Sequence, residues 1–234
     1  MKILAMDTSN QVLSVALLED KQIIGEITTN IAKNHSVRLM PAVEKLMQDV
    51  HITPSELDRI VVAKGPGSFT GVRIGLATAK TMAWALNIPV IGVSSLEAFA
   101  YQGILFDGII CPFFDARRGL VYTGAYRWKN GKLETVIEEE NILMTEWLAK
   151  LKETGENVLF LSQDIDAFKE VIKEHLQDKA VIADSSFQLP RAAHLALLGR
   201  EREADSVHAL VPNYLRLAEA EANWQKQQKE QADS

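Results

Sequence analysis

The chain's apolar positions follow two alternating rhythms. Ile3-Leu4-Ala5-Met6 is a short unbroken apolar run, the mark of a buried strand. Residues 12–18 and 22–28 read as two more strands, joined by the polar turn Glu19-Asp20-Lys21. A strand meander therefore opens the chain. Between 35 and 50 the period changes, with apolar residues at 39, 42, 43, 46, 47 and 50, the spacing of a helix with one apolar face. Pro41 sits inside that pattern and predicts a kink or an irregular first turn. Thr53-Pro54-Ser55-Glu56 carries the cap, the proline and the acid of a helix start. A strand at 60–63, a glycine cluster, a helix at 72–86 stopped by Asn87 and a strand at 88–93 follow. Ser94-Ser95-Leu96-Glu97 would cap the next helix. Strands alternating with helices predict an α/β fold.

Near residue 100 the order restarts. Residues 108–114 and 120–128 read as strands, and Asn130-Gly131 is a hairpin signal with its return strand at 133–137. A helix at 145–153, a strand at 158–161, a helix at 164–176, a strand at 180–183 and a helix opened by Pro190 complete it. The halves share an order and not a sequence. The stretch 219–234 is rich in Gln, Lys and Glu and reads as a solvated helix or a frayed tail.

Composition narrows the function. The chain has 234 residues, 47% hydrophobic and 24% charged, enough for a sizeable core. Its net charge of −6 argues against gripping nucleic acid unaided. The single cysteine, Cys111, excludes an intrachain disulfide and a cysteine-based zinc site, and its apolar strand context suits an inert core thiol. The apolar start ends at Asp7, which does not fit a signal peptide, and no apolar run approaches the roughly 18 residues of a membrane span. A cytoplasmic location without membrane contact is the expectation.

Candidate chemistry is sparse. Asp7-Thr8-Ser9 follows the first strand and could contact a phosphate or a nucleotide, or simply form a turn. The loop Lys64–Gly75, KGPGSFTGVRIG, lacks the spacing of both glycine-rich nucleotide motifs. Its last glycines instead start a row, Gly71, Gly75, Ala79 and Ala83, spaced four apart on a helix. Such a row admits a second helix closely, either within the chain or from a partner. No two histidines lie three or four apart, so a helical zinc motif is absent. His35 suits a local bond at a helix start, and Glu138-Glu139-Glu140 suits a solvated face. Asp115-Ala116-Arg117-Arg118 fits a turn salt bridge or an anion fork.

Four stretches together, MDTSN, KGPGSFTGVRIGLATAKTMAWALNIPVIGVSSLEA, FFDARRGLVY and PNYLRLAEAE, resemble the TsaB family. The resemblance implies two RNase H-like lobes of the actin/sugar-kinase superfold: 1–100 with partner-binding helices, 101–218, and a polar tail at 219–234. It implies a non-catalytic subunit that pairs with a TsaD-like catalytic subunit and a TsaE-like ATPase. Together these place threonylcarbamoyl on adenosine 37 of tRNAs reading codons that begin with A. The chain would meet tRNA only through the complex and would pair with itself when the partner is missing. ATP and metal would belong to the partner subunits, with none bound by the isolated chain. TsaD-like proteins carry a stretch resembling H-H-M-E-G-H whose second and last histidines bind metal; aligned on Glu97, Ser95 and Phe99 stand there. Phe cannot ligate a metal and neutral Ser is a poor substitute for imidazole. The implied partner surface comprises Leu39, Val43, Leu46 and Met47 on the first helix, with Gly71, Val72, Gly75, Leu76, Ala79, Met82 and Ala83 on the second. An ATP-binding enzyme of the same superfold is the alternative reading.

Overall fold

A computed structural model describes residues 1–31 and 34–215. The tail at 219–234, and residues 216–218 of the expected second lobe, lie outside the described residues.

The first lobe opens with β1 (Lys2–Asp7), β2 (Val12–Glu19) and β3 (Gln22–Asn30), an antiparallel meander. Then come α1 (His35–Asp49), β4 (Arg59–Ala63), α2 (Phe69–Leu86) and β5 (Val90–Val93). β4 and β5 join the sheet in parallel, which gives the order β3-β2-β1-β4-β5. A short helix, α3 (Ser95–Ala100), leads to the second lobe. There β6 (Ile109–Asp115), β7 (Leu120–Lys129), β8 (Lys132–Leu143), α4 (Met144–Thr154), β9 (Val158–Leu161), α5 (Ile165–Leu176) and β10 (Ala180–Ile182) repeat the plan. Their order is β8-β7-β6-β9-β10, the same topology. These are the two RNase H-like lobes that the resemblance implies.

Both faces of each sheet are covered, which is why the inner strands read as unbroken apolar runs. Leu4 and Met6 face α1 and α2, whereas Ile3 and Ala5 face the opposite helical layer. In the second sheet Ile109, Cys111 and Phe113 face α4 and α5. Ile110 and Phe114 meet Leu96 and Phe99 of α3, forming the apolar joint between lobes. Cys111 is inert as expected: burial pushes its thiol up to about 11, and Trp147 Nε1 donates to its sulfur at 3.1 Å.

α1 runs through Pro41 without a break, with the proline on its exposed side. Two expectations change. The Thr53 capping motif starts only a single 3₁₀ turn, Pro54–Glu56. The last helix, α6 (Ala192–Gly199), falls within the stretch 101–218 assigned to the second lobe but packs on the first sheet. Ala192, Ala193, Leu195 and Ala196 cover Ile3, Ala5, Ala16, Leu18 and Val61. The first lobe leaves that apolar face uncovered until the chain returns. Residues beyond α6 stay on the first lobe: Asp205 N–H donates to Val90 O at 2.9 Å and Asn213 N–H to Lys64 O at 2.7 Å.

Burial of α6 also confers a pH dependence. His194 is 8% exposed and stacks on Tyr101 with ring centroids 4.9 Å apart. Burial, aided by Arg191, lowers its pKa to about 4. On acidification the unfolded chain therefore takes up the proton first, near its ordinary value. Stability from this residue is intact above about pH 6.5 and is lost as pH falls toward 4, by on the order of 3 kcal/mol in total. His194→Phe keeps a stacked ring without a proton. Its melting curve should diverge from the native one only below about pH 6.5, becoming the more acid-resistant; parallel pH profiles would refute the assignment.

Candidate functional site

The loops after β1, β4, β6 and β9 meet, with Tyr122 of β7, at a cleft between the lobes. The cleft has a volume of about 460 Å³ and is lined by Asn10, Ser68, Phe69, Asp115, Arg117 and Gln163, among others. Asp7, Thr8 and Ser9 lie beneath its wall and do not line it, each at most 1% exposed. Asp7 accepts from Ser9 N–H at 2.8 Å, Thr8 donates its hydroxyl proton to Gly71 O at 2.7 Å, and Ser68 N–H donates to Ser9 O at 2.6 Å. Burial raises the Asp7 carboxyl above the usual carboxylate range, with the Ser9 bonds and the His35 charge opposing it, and Oδ2 has no hydrogen-bond partner. The turn reading fits this geometry. A phosphate would have to displace these bonds to reach the three side chains. His35 bonds locally, as expected: Nε2 donates to Asn10 O at 2.8 Å.

These bonds explain the glycine cluster. A Cβ on Gly67 would stand 2.0 Å from Ser9 O, and one on Gly71 would stand 2.1 Å from Thr8 O. The loop is glycine-rich because the β1–β2 backbone lies against it. The row Gly71, Gly75, Ala79 and Ala83 accordingly faces the chain's own sheet and admits no partner helix. Leu39, Val43, Leu46, Met47, Val72 and Leu76 are buried with it in the first core, and Met82 is packed at the edge. Leu39, Leu46, Gly71, Val72, Gly75, Leu76, Ala79 and Ala83 therefore do not form the partner surface expected of them, whereas Val43, Met47 and Met82 also line an open groove. An amphipathic face found by periodicity is the face a helix buries first against its own sheet.

The outward sides of the same helices are different residues. On α2 they are Arg73, Ala77, Thr81, Trp84 and Ala85; on α1, Val37, Met40, Pro41 and Glu44. Trp84 is 72% exposed and Val37 66%. Ala77, Thr81 and Ala85 form a second small-residue row, again four apart, and this one points outward. Beside it, α1 and α2 border a largely apolar groove of about 880 Å³ that includes Met40, Pro41, Met47 and Met82.

Ser95 and Phe99, aligned with the metal-binding histidines of TsaD-like proteins, are both 0% exposed. Phe99 stacks on Phe114 at 5.8 Å inside the apolar joint. The residues present there do not fit a metal, and the described residues contain no cluster of three or more His, Cys, Asp or Glu that could hold one. In the second lobe, Asp115 accepts from Arg117 N–H at 2.7 Å, and Arg117 and Arg118 both take positive φ in this turn.

Glu139, read from the sequence as part of a solvated face, instead accepts hydrogen bonds from three separate segments of the chain. It accepts from the Ser94 hydroxyl, from Tyr126 OH at 2.7 Å and from Asn213 Nδ2 at 3.1 Å. Burial raises its carboxyl, with the Ser94 and Tyr126 bonds opposing. Register shifts on β7 between Thr123 and Tyr126 re-aim this part of β8. Such irregularities leave no periodic trace in sequence, so Glu139 resembles its solvated neighbours there. Glu140, by contrast, pairs with Lys150 at 2.6 Å on the surface.

Comparison with known proteins agrees with this architecture. Residues 13–224 match the family described as TsaD, tRNA N6-adenosine threonylcarbamoyltransferase. The chain is 54% identical over 229 residues to the tRNA threonylcarbamoyladenosine biosynthesis protein TsaB of Bacillus subtilis, covering 98% of this chain and 100% of that one. It is 32% identical over 148 residues to TsaB of Escherichia coli, covering 60% and 64%. Among solved structures, YeaZ from Pseudomonas aeruginosa superposes with a TM-score of 0.75 at 28% identity, covering 92% of this chain and 99% of that one. An activator of 2-hydroxyisocaproyl-CoA dehydratase from Clostridium difficile, with a TM-score of 0.50 at 11% identity, covers 88% and 100% and shares the fold alone. No helix among the described residues is long and apolar enough to cross a membrane. On this near-full-length kinship, the chain belongs to the TsaD-type threonylcarbamoyltransferase family, in its TsaB branch.

Proposed function

We propose that this chain is a non-catalytic pairing subunit of the cytoplasmic machinery that forms N6-threonylcarbamoyladenosine at position 37 of tRNAs reading codons that begin with A. It acts by pairing with a TsaD-like catalytic subunit, alongside a TsaE-like ATPase, and meets tRNA through that assembly. The observation that carries the reading is the burial of Ser95 and of Phe99, the latter in the apolar joint, at the two positions where the resemblance implies metal-binding histidines in TsaD-like proteins. Metal and ATP chemistry then falls to the partners. The docking surface is the outward side of α1 and α2, with its exposed Trp84, Val37 and Met40 and its small-residue row. A first-lobe partner of the same fold would present a similar helix pair, so the surface also suits a second copy when the partner is missing.

Reconstitution tests this. Purified TsaD-like and TsaE-like partners, tRNA, ATP and threonylcarbamoyl-adenylate are incubated with and without this chain, and the modified nucleoside is measured by mass spectrometry. The complete mixture is expected to form product, while the chain alone forms none. Product from the isolated chain at the rate of the mixture would overturn the non-catalytic role. Equal product without the chain would overturn the subunit role.

A further inference from the structure

The Glu139 carboxylate joins three separate parts of the chain. Ser94 follows β5 and caps α3 in the first lobe, accepting from Leu96 N–H and Glu97 N–H at 3.2 and 3.3 Å while its hydroxyl proton goes to Glu139. Tyr126 belongs to β7 of the second lobe and is 2% exposed. Asn213 belongs to the returning C-terminal segment, which its own N–H pins to Lys64 at the end of β4. The lobes also meet in the apolar packing around α3 and at Tyr101, whose ring lies 5.0 Å from that of Trp128 on β7 and 4.9 Å from that of His194 on α6. Apolar packing holds surfaces together without fixing their rotation, because it is non-directional. Hydrogen bonds to one half-buried carboxylate are directional, and leaving them unmade carries a cost.

We propose that Glu139 is a latch that fixes the angle between the two lobes, and with it the width of the interlobe cleft. The carboxylate has enough acceptor positions for all three donors at once. Its loss leaves the Ser94 hydroxyl, the Tyr126 hydroxyl and the Asn213 amide without this acceptor. The lobes then turn on the α3 joint and the cleft opens.

Double electron–electron resonance reads this directly on the full chain. Spin labels are placed on Thr70→Cys at the start of α2 and Asp166→Cys at the start of α5, both exposed positions on opposite lobes; Cys111 is buried and escapes labelling. With Glu139 present, one narrow distance population is expected. Glu139→Ala should add a second, longer population, and Glu139→Gln, which keeps one acceptor oxygen, should fall between. Glu138→Ala, its exposed neighbour, should match the native distribution. Hydrogen exchange in the same variants should show Leu96, Glu97 and Asn213 amides losing protection while those of β6 and β9 keep theirs. An unchanged distance distribution in a folded Glu139→Ala protein would overturn the latch. Should that variant fail to fold, an unchanged distribution in Glu139→Gln would overturn it instead.

Discussion

Gly71→Ala is expected to destabilise the first lobe by about 3 to 5 kcal/mol, far more than a typical surface substitution. The added methyl would stand 2.1 Å from Thr8 O, a backbone atom held in place by β1. Relief requires α2 to move away from the β1–β2 loop. That movement breaks the bond from Thr8 to Gly71 O and the one from Ser68 N–H to Ser9 O. Each broken bond costs about 1 kcal/mol, and the overpacking adds the remainder. Alanine's higher helix propensity returns at most about 1 kcal/mol. Gly75→Ala supplies the internal comparison. Its methyl would meet the Thr8 hydroxyl at 2.7 Å, a side-chain atom that can turn away by giving up its bond to Gly71 O without moving the backbone. The Gly75 variant should therefore suffer much less, and thermal melting should separate the two by roughly 5 °C or more. Equal melting temperatures for Gly71→Ala and the native chain would refute the close-approach explanation of the glycine cluster.

The second large effect concerns pairing. Ala77→Arg is expected to weaken capture of the TsaD-like subunit by more than about 30-fold, equivalent to about 2 kcal/mol. Its side chain would project from the outward small-residue row, where a facing helix needs close approach. Trp84→Ala should have a comparable effect by removing a large exposed anchor of the type that dominates interfaces. Because both positions are exposed, the melting temperature should stay close to native. Ala79→Trp makes the contrast: Ala79 is 0% exposed in the first-lobe core, so that change should unfold the lobe before it affects any partner. Isothermal titration with the partner, alongside melting of each variant, distinguishes the cases. Native affinity in Ala77→Arg and Trp84→Ala would remove this face of α2 from the interface.

Much of this architecture was legible in the residues. The alternation of periods located both meanders and most of the helices, because sheets covered on both sides carry unbroken apolar strands and helices carry one apolar stripe. The Asn130-Gly131 turn and the stop at Asn87 follow from local backbone preference, and all three residues take positive φ. The absence of a histidine metal motif at 94–99 was equally plain, since ligand chemistry belongs to the side chain itself.

Tertiary structure decided which way each face points and which distant segments meet. The apolar stripe of α2 was visible, but burial against β1 and β4 assigned it to the interior and left Ala77, Thr81 and Trp84 outside. The glycines of KGPGSFTGVRIG marked a close approach, yet the approaching atoms, Thr8 O and Ser9 O, lie about sixty residues away in the chain. α6 returned to the first sheet because only there was an apolar face left to cover. Glu139 became half-buried because strand irregularities between β7 and β8 brought it to Ser94 and Asn213. Local sequence sets period, turn and side-chain chemistry; contacts across long separations depend on how every other element packs, and no single stretch encodes them.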